Sequence, residues 1–323
     1  MNKENNKIFI TFKNNKTKKM SIMYFKKKPI ITILLTSFAI IIGSVSFLSF
    51  ENSFAHTFSP DESAHFLTIV DKIKVESELA ANSTGDNNTN NKSLAQIHAN
   101  NALLNYDSHT QDEISERNER IANELNDTLN QLLNEINSQT DKSQLDNTVE
   151  TITAILDEAV STRIDEEQLN NSTIQALVLA NIVDSALQNY GDAFNIGIDL
   201  TNMSNLNRSI VSNDSETQDH NNHSSSNDTI TTQQMSIVNF SSYESALGFS
   251  NNALDKYYNE ISTVSPPLSE ENNNTTTQNY LKKLENGLIE LNNAIKNKEN
   301  AMKVMEIVHT QIHPNLQILF NLK

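Results

Sequence analysis

The sequence predicts an all-α protein: an antiparallel helical bundle of about seven or eight helices outside the membrane, preceded by one N-terminal hydrophobic helix. Three observations carry this expectation. Apolar residues recur at three- and four-residue spacing through most of residues 60–320, the period of an amphipathic helix. Glycine and proline are scarce, six and five in 323 residues, too few for the many tight turns of a β-rich fold. A single 21-residue apolar run, residues 30–50, stands at the N-terminal end, long enough to cross a bilayer core of roughly 30 Å.

The elements follow in order. Residues 1–28 carry nine lysines and one glutamate, a basic arm of the kind that stays in the cytoplasm. Residues 29–50 are a transmembrane helix or the h-region of a signal peptide. Ser53 and Ala55 are small residues placed as a signal peptidase prefers them, so the chain is either anchored by one membrane pass or cut after Ala55 and secreted, with His56 as its new N-terminus. On both readings everything beyond residue 56 faces outward.

The charge divides at the same place. The whole chain carries −16, the first 28 residues +8 and residues 56–323 therefore −23, Glu51 making up the difference. So acidic a body repels phosphate backbones, which makes nucleic acid and anionic membrane surfaces poor partners. Solubility is the plain role of the charge; attraction of cations or of a basic partner is the sharper one. Cysteine is absent, which removes disulfides, thiol chemistry and Cys-based metal sites.

In the outward-facing body, Ser59-Pro60-Asp61-Glu62 reads as a helix start, with Ser as N-cap and Pro at the first position. That helix runs to about residue 81. A polar loop, 82–92, leads to a shorter helix over 93–106. Thr110-Gln111-Asp112-Glu113 reads as a second capping box, opening a long helix that carries Ile114, Ile121, Leu125, Leu129, Leu132 and Ile136 on one face. Another helix spans about 143–163. Residues 172–190 are apolar almost all round, the pattern of the most buried helix. Residues 201–232 are mainly Asn, Ser, Asp, Thr and His, a composition that cannot bury enough surface to fold and reads as a disordered linker. It separates an N-terminal helical region (56–200) from a C-terminal one (233–323). The C-terminal region is expected to hold helices at about 234–261, 277–298 and 299–312, the last reaching toward Phe320 across Pro314.

Asparagine accounts for 48 residues, and N-x-[ST] sequons include Asn82, Asn126, Asn171, Asn213, Asn227 and Asn239. With an export signal these are glycosylation acceptors in principle. They motivate one reading of the protein as a structural or surface-coat glycoprotein.

The chain has no Gly-rich phosphate loop, no G-x-S-x-G, no H-E-x-x-H and no cysteine nucleophile. Histidine is the one chemical lead. Met302, Met305, His309 and His313 lie at helical spacing on one edge of the last helix, and imidazole with thioether suits copper. Glu-x-x-His occurs as Glu62-Ser63-Ala64-His65 and Glu306-Ile307-Val308-His309, the unit that bundle di-iron proteins use to point a carboxylate and an imidazole inward. Cleavage after Ala55 gives His56 an α-amine beside its imidazole, a natural copper chelate. The candidate metal ligands are therefore His309, His313, Met305, Glu306, His65 and His56, for copper or iron. Against them, Pro314 biases His313 out of the α region, and Met and Ile neighbours are ordinary core residues.

The stretch Phe54-Ala55-His56-Thr57-Phe58-Ser59-Pro60-Asp61-Glu62-Ser63-Ala64, with Lys72-Ile73-Lys74-Val75-Glu76-Ser77-Glu78 after it, resembles the start of uncharacterised exported helical proteins of ammonia-oxidising archaea. The ending Val308-His309-Thr310-Gln311-Ile312-His313-Pro314-Asn315-Leu316 resembles theirs as well. The resemblance implies a helical extracytoplasmic protein and brings no activity. Around Tyr243-Glu244-Ser245-Ala246-Leu247 the chain is similar to the extracytoplasmic helical domains of high-affinity iron permeases; their membrane Arg-Glu-x-x-Glu motif is missing, so transport is not implied. The function expected is a binding or accessory module of the cell envelope that contacts a membrane complex or a metal ion. A coat protein and a metal-dependent redox enzyme are the alternatives.

Overall fold

Aspartate and asparagine open nearly every helix. In the computed structural model, which describes residues 61–84, 91–202, 236–263, 266–267 and 274–322, the side chains of Asp61, Asp107, Asp141, Asn171, Asn239 and Asn300 each accept a backbone N–H from the first turn that follows. Each such cap is worth about 1 kcal/mol. The basic arm, the hydrophobic run, Ser53 to His56 and residues 203–235 lie outside the described residues.

The helices are α1 (Glu62–Asn82), α2 (Asn91–Asn105), α3 (Ser108–Asn137), α4 (Lys142–Arg163), the single turn α5 (Glu166–Leu169), α6 (Ser172–Ala193), α7 (Phe240–Asn259), α8 (Asn274–Lys296), α9 (Ala301–Ile307) and α10 (His313–Phe320). A 3₁₀ turn, Ile261–Thr263, follows α7, and a π turn, Val308–Ile312, joins α9 to α10. Among the described residues there is no strand. The all-α expectation holds. The described residues carry ten α segments where about seven or eight were expected. The excess is the one-turn α5 and the division of the last helix into α9, π turn and α10.

Two expected helix starts move. The first cap is Asp61, whose Oδ1 accepts from Ala64 N at 2.8 Å, rather than Ser59. The second is Asp107, which takes both the N–H and the hydroxyl of Thr110. Thr110 is thus inside the helix it was expected to open. An aspartate three residues ahead of a threonine is a competent cap in its own right, and the free choice between them is made by where the apolar face must point.

All of these elements belong to one unit, Glu51–Lys323. α1 lies at its centre, against α2, α4, α6 and α7. α3 pairs with α4 and α2 on one side. On the other, α6 packs along α7 and also receives α9, the π turn and α10, and α8 covers α7 and α10. Helices on both sides of residues 203–235 therefore share one core. α6 is the most enclosed helix, as its composition predicted: Val178, Leu179, Ile182, Val183, Leu187 and Tyr190 are fully buried, each aliphatic side chain worth roughly 1.5–3 kcal/mol of transfer free energy.

α2 is built the other way. Its fully buried residues are Ala95, His98, Ala99 and Ala102; Leu103 packs against the core only partly buried, and Ile97 and Leu104 face outward at 42% and 75% exposure. Alanines let α2 lie close to its neighbours but bury little apolar area. Gly248 does the same for α7: a Cβ there would stand 2.8 Å from Val75 Cγ1 and 3.1 Å from Leu79 Cδ1 of α1. These small residues draw the backbones of α1, α2 and α7 together around whatever side chains point between them.

Candidate functional site

Two buried histidine clusters are the chemical features of the bundle. The first is the one the sequence pointed to. Pro314 lacks an N–H, and its ring crowds the carbonyl four residues back in a regular helix. The chain answers with the π turn, in which the His313 N–H reaches back to Val308 O. His313 itself keeps α-helical angles, φ −58° and ψ −44°, despite the bias against them before proline. The path from α9 to α10 therefore stays helical, and the His309 and His313 rings meet edge to face with centroids 5.3 Å apart.

The surroundings of the two rings differ. His309 Nε2 donates to the Leu200 carbonyl at 3.0 Å, which fixes its tautomer, because a carbonyl can only accept. Burial pushes the His309 pKa down, the Leu200 bond opposes that, and His313 adds to the lowering. His313 Nε2 stands 3.2 Å from Asp184 Oδ1, on the face of α6 opposite, with both side chains about 5–6% exposed.

The remaining expected ligands do not join them. Met305 is fully buried core. Glu306 is exposed, 3.9 Å from Lys303, so the carboxylate of Glu306-x-x-His309 points outward while the imidazole points in. Glu62 and His65 of the other pair are both exposed on α1. His56 lies outside the described residues. Among the described residues no group of three or more His, Cys, Asp or Glu side chains could hold a metal ion.

The second cluster joins α1, α2 and α7, and no motif announced it. His98 of α2 is fully buried. Its Nδ1 is 2.8 Å from Glu76 Oε2 of α1, and its Nε2 is 3.1 Å from Glu244 Oε2 of α7. Glu76 also accepts from Ser245 Oγ at 2.7 Å and from Asn101 Nδ2 at 3.2 Å, so both its oxygens are occupied. Burial lowers the His98 pKa, but the hydrogen bonds to Glu244 and Glu76 and their charges outweigh it and carry the value up to about 9. Lys72 sits half-buried one turn before Glu76; burial lowers its pKa and the Glu76 charge opposes this. A second ion group lies along the same α1/α7 seam, with Lys256 Nζ 3.0 Å from Asp71 and 2.9 Å from Glu260.

Other buried polar groups are committed in the same manner, to neighbouring helices. Glu135 of α3 accepts from Gln144 and Thr148 of α4. The hydroxyls of Tyr106, Tyr190, Tyr243 and Tyr257 donate to the carbonyls of Ala122, Glu299, Ile295 and Leu281. A hollow lined by Asp127, Gln131, Asn134 and Ser138 near the end of α3 is shallow and open to solvent. Chemically, the arrangement ties helices together and presents surface. No family model, no curated protein and no solved structure matches the chain.

Proposed function

We propose that the protein is an extracytoplasmic helical accessory module of the cell envelope, which docks a basic protein partner from a membrane complex through the outer face of α2. The observation that carries this reading is the outer face of α2, where Ile97 and Leu104 stand two turns apart at 42% and 75% exposure. Exposed large apolar residues grouped on one helix face mark a contact surface more often than scattered ones do. The chemistry of the partner follows from charge: residues 56–323 carry −23, which steers a basic surface in and an acidic one away. The outward placement rests on the basic arm ahead of the apolar run.

The test is a pull-down from solubilised membranes with the full-length chain, beside Ile97→Glu and Leu104→Glu variants. A basic membrane protein should co-purify with the native chain and be lost with both variants. The reading fails where nothing co-purifies or where the variants retain the same protein. The intact mass of the native protein distinguishes an anchored chain from one starting at His56, and reads any glycans on sequons such as Asn171 and Asn239 in the same measurement.

A second reading has one observation in its favour, the His309 and His313 rings 5.3 Å apart. In it the pair holds a single copper ion through the two imidazoles. Copper, iron and zinc content before and after His309→Ala and His313→Ala tests it, and no metal above background would remove it.

A further inference from the structure

His98 has a carboxylate oxygen within hydrogen-bond reach of each ring nitrogen. A carboxylate only accepts, and a neutral imidazole carries one N–H. A neutral His98 would therefore set the lone pair of one nitrogen against a carboxylate oxygen inside the bundle. The imidazolium, with two N–H groups, satisfies both contacts. A neutral ring would instead need a proton placed on a carboxylate, either on Glu244, whose side chain is 27% exposed, or on Glu76, whose two oxygens already accept from Asn101 Nδ2 and Ser245 Oγ.

We propose that His98 is a fixed imidazolium cation that clamps α2 between α1 and α7, and that loss of its ring proton in alkaline solution releases α2 from the bundle. The charged groups acting on the ring are Glu76 from α1 and Glu244 from α7; Lys72 acts on Glu76 in turn. Ser245 and Asn101 complete the shell as neutral donors to Glu76. Among the described residues α3, the other helix packed on α2, brings no charged group to the ring.

Why α2 should be the element that yields follows from its inner face. Ala95, Ala99 and Ala102 bury few methyl groups, at about 0.8 kcal/mol each, and Leu103 packs on the core only in part, where neighbouring helices bury whole leucines. Its other ties sit at its ends. Lys92 and Gln96 reach Asn137, and Tyr106, just past its last turn, donates to Ala122 O. In its middle the polar ties are His98 and, one turn on, Asn101, which donates to the same Glu76 carboxylate at 3.2 Å; of the two only His98 reaches both α1 and α7. The sign is that of a base whose folded pKa is raised: its contribution is full below the ordinary value near 6.5 and is lost as the pH climbs through about 9.

The experiment uses the full-length chain in detergent micelles, labelled with 15N histidine, and His98 is assigned by the signals that vanish in His98→Gln. At pH 8 an ordinary imidazole favours its neutral form about 30-fold. Both His98 ring nitrogens should still show the imidazolium signature there; a neutral-tautomer signature at pH 8 overturns the proposal. Hydrogen exchange, corrected for intrinsic rates, is then compared between α2 and α6 from pH 7 to 9.5. Protection in α2 should fall about tenfold or more relative to α6, and an α2 that keeps its protection overturns the release. Glu244→Gln, at the half-exposed end of the clamp, covers the case in which His98→Gln does not fold. It should move the ring titration and the loosening of α2 to lower pH together, and loosening that stays at the native pH overturns the link between them.

Discussion

His98 and His309 are the same side chain at nearly the same burial, and their pKa values are pushed in opposite directions. His98, between α1, α2 and α7, has its pKa raised by two carboxylates. His309, in the π turn beneath α6, has its pKa lowered by burial and donates one hydrogen bond to a carbonyl. Burial alone disfavours the cation in both places. The partner decides the outcome: a carbonyl needs a donor but carries no charge, while two carboxylates facing both ring nitrogens call for a cation. A buried histidine is therefore read from what its neighbours can accept, not from how deeply it sits.

The substitution that tests this contrast hardest is His98→Leu. It leaves the Glu76 charge buried without its cation, so a loss of about 3–5 kcal/mol is expected, read by urea denaturation. A loss no larger than that of His309→Leu would erase the difference between the two sites. The pH dependence of stability should come next. On the alkaline side, unfolding stability should fall on the order of 3 kcal/mol as the pH rises from 7 toward 10, as His98 gives up its proton. On the acid side, His309 is neutral in the fold and its contribution is present above about 6.5. It is lost as the pH falls and the unfolded chain takes up the proton first. His309→Leu should flatten the limb between pH 7 and 5 and leave the alkaline limb alone.

Gly248→Ala sharpens the comparison by moving a backbone instead of a charge. Its Cβ would meet Val75 at 2.8 Å, forcing α7 off α1 at a cost of about 1–3 kcal/mol. It should also weaken the His98 contact to Glu244, one turn away, while the His309 titration stays put. His309→Leu itself should cost about 1 kcal/mol, for a Leu200 carbonyl left without its donor. The smallest effect is expected at the surface: Asp157→Asn breaks the exposed Lys74–Asp157 pair and should cost about 0.2–1 kcal/mol, shrinking further in high salt.

The fold class was legible because periodicity is local. α4 and α6 fall within a few residues of their expected bounds, since the apolar residues of one helix lie in one stretch of chain. Helix starts were less legible, because Asp and Asn are so common that several residues near each start could cap, as Asp61 did in place of Ser59. The α1/α2/α7 cluster could not be assembled from sequence: Glu76 and Glu244 stand 22 and 146 residues from His98, and nothing in the chain says they meet. A partial signal was present. Ala95, His98, Ala99 and Ala102 fall on one helical stripe, placing an imidazole among small buried residues. Glu76 interrupts the stripe of Phe66, Ile69, Ile73 and Ala80 in α1. A titratable residue on an apolar stripe in two helices asks for a partner. The C-terminal pair shows the reverse case: His309 and His313 are four residues apart and their rings meet, a proximity visible in the spacing, while the outward turn of Glu306 was not.

The π turn has one more effect, which concerns phase. It holds one residue more than a regular turn, so everything after it is rotated by about 100° relative to an uninterrupted helix. Leu316, Leu319 and Phe320 are buried in that rotated setting, along with His313. Deleting a single residue from Val308–Ile312 would shorten the chain by almost nothing and yet swing those side chains toward solvent. In this protein one surplus residue works as an angular offset, setting which side of the last helix the core receives.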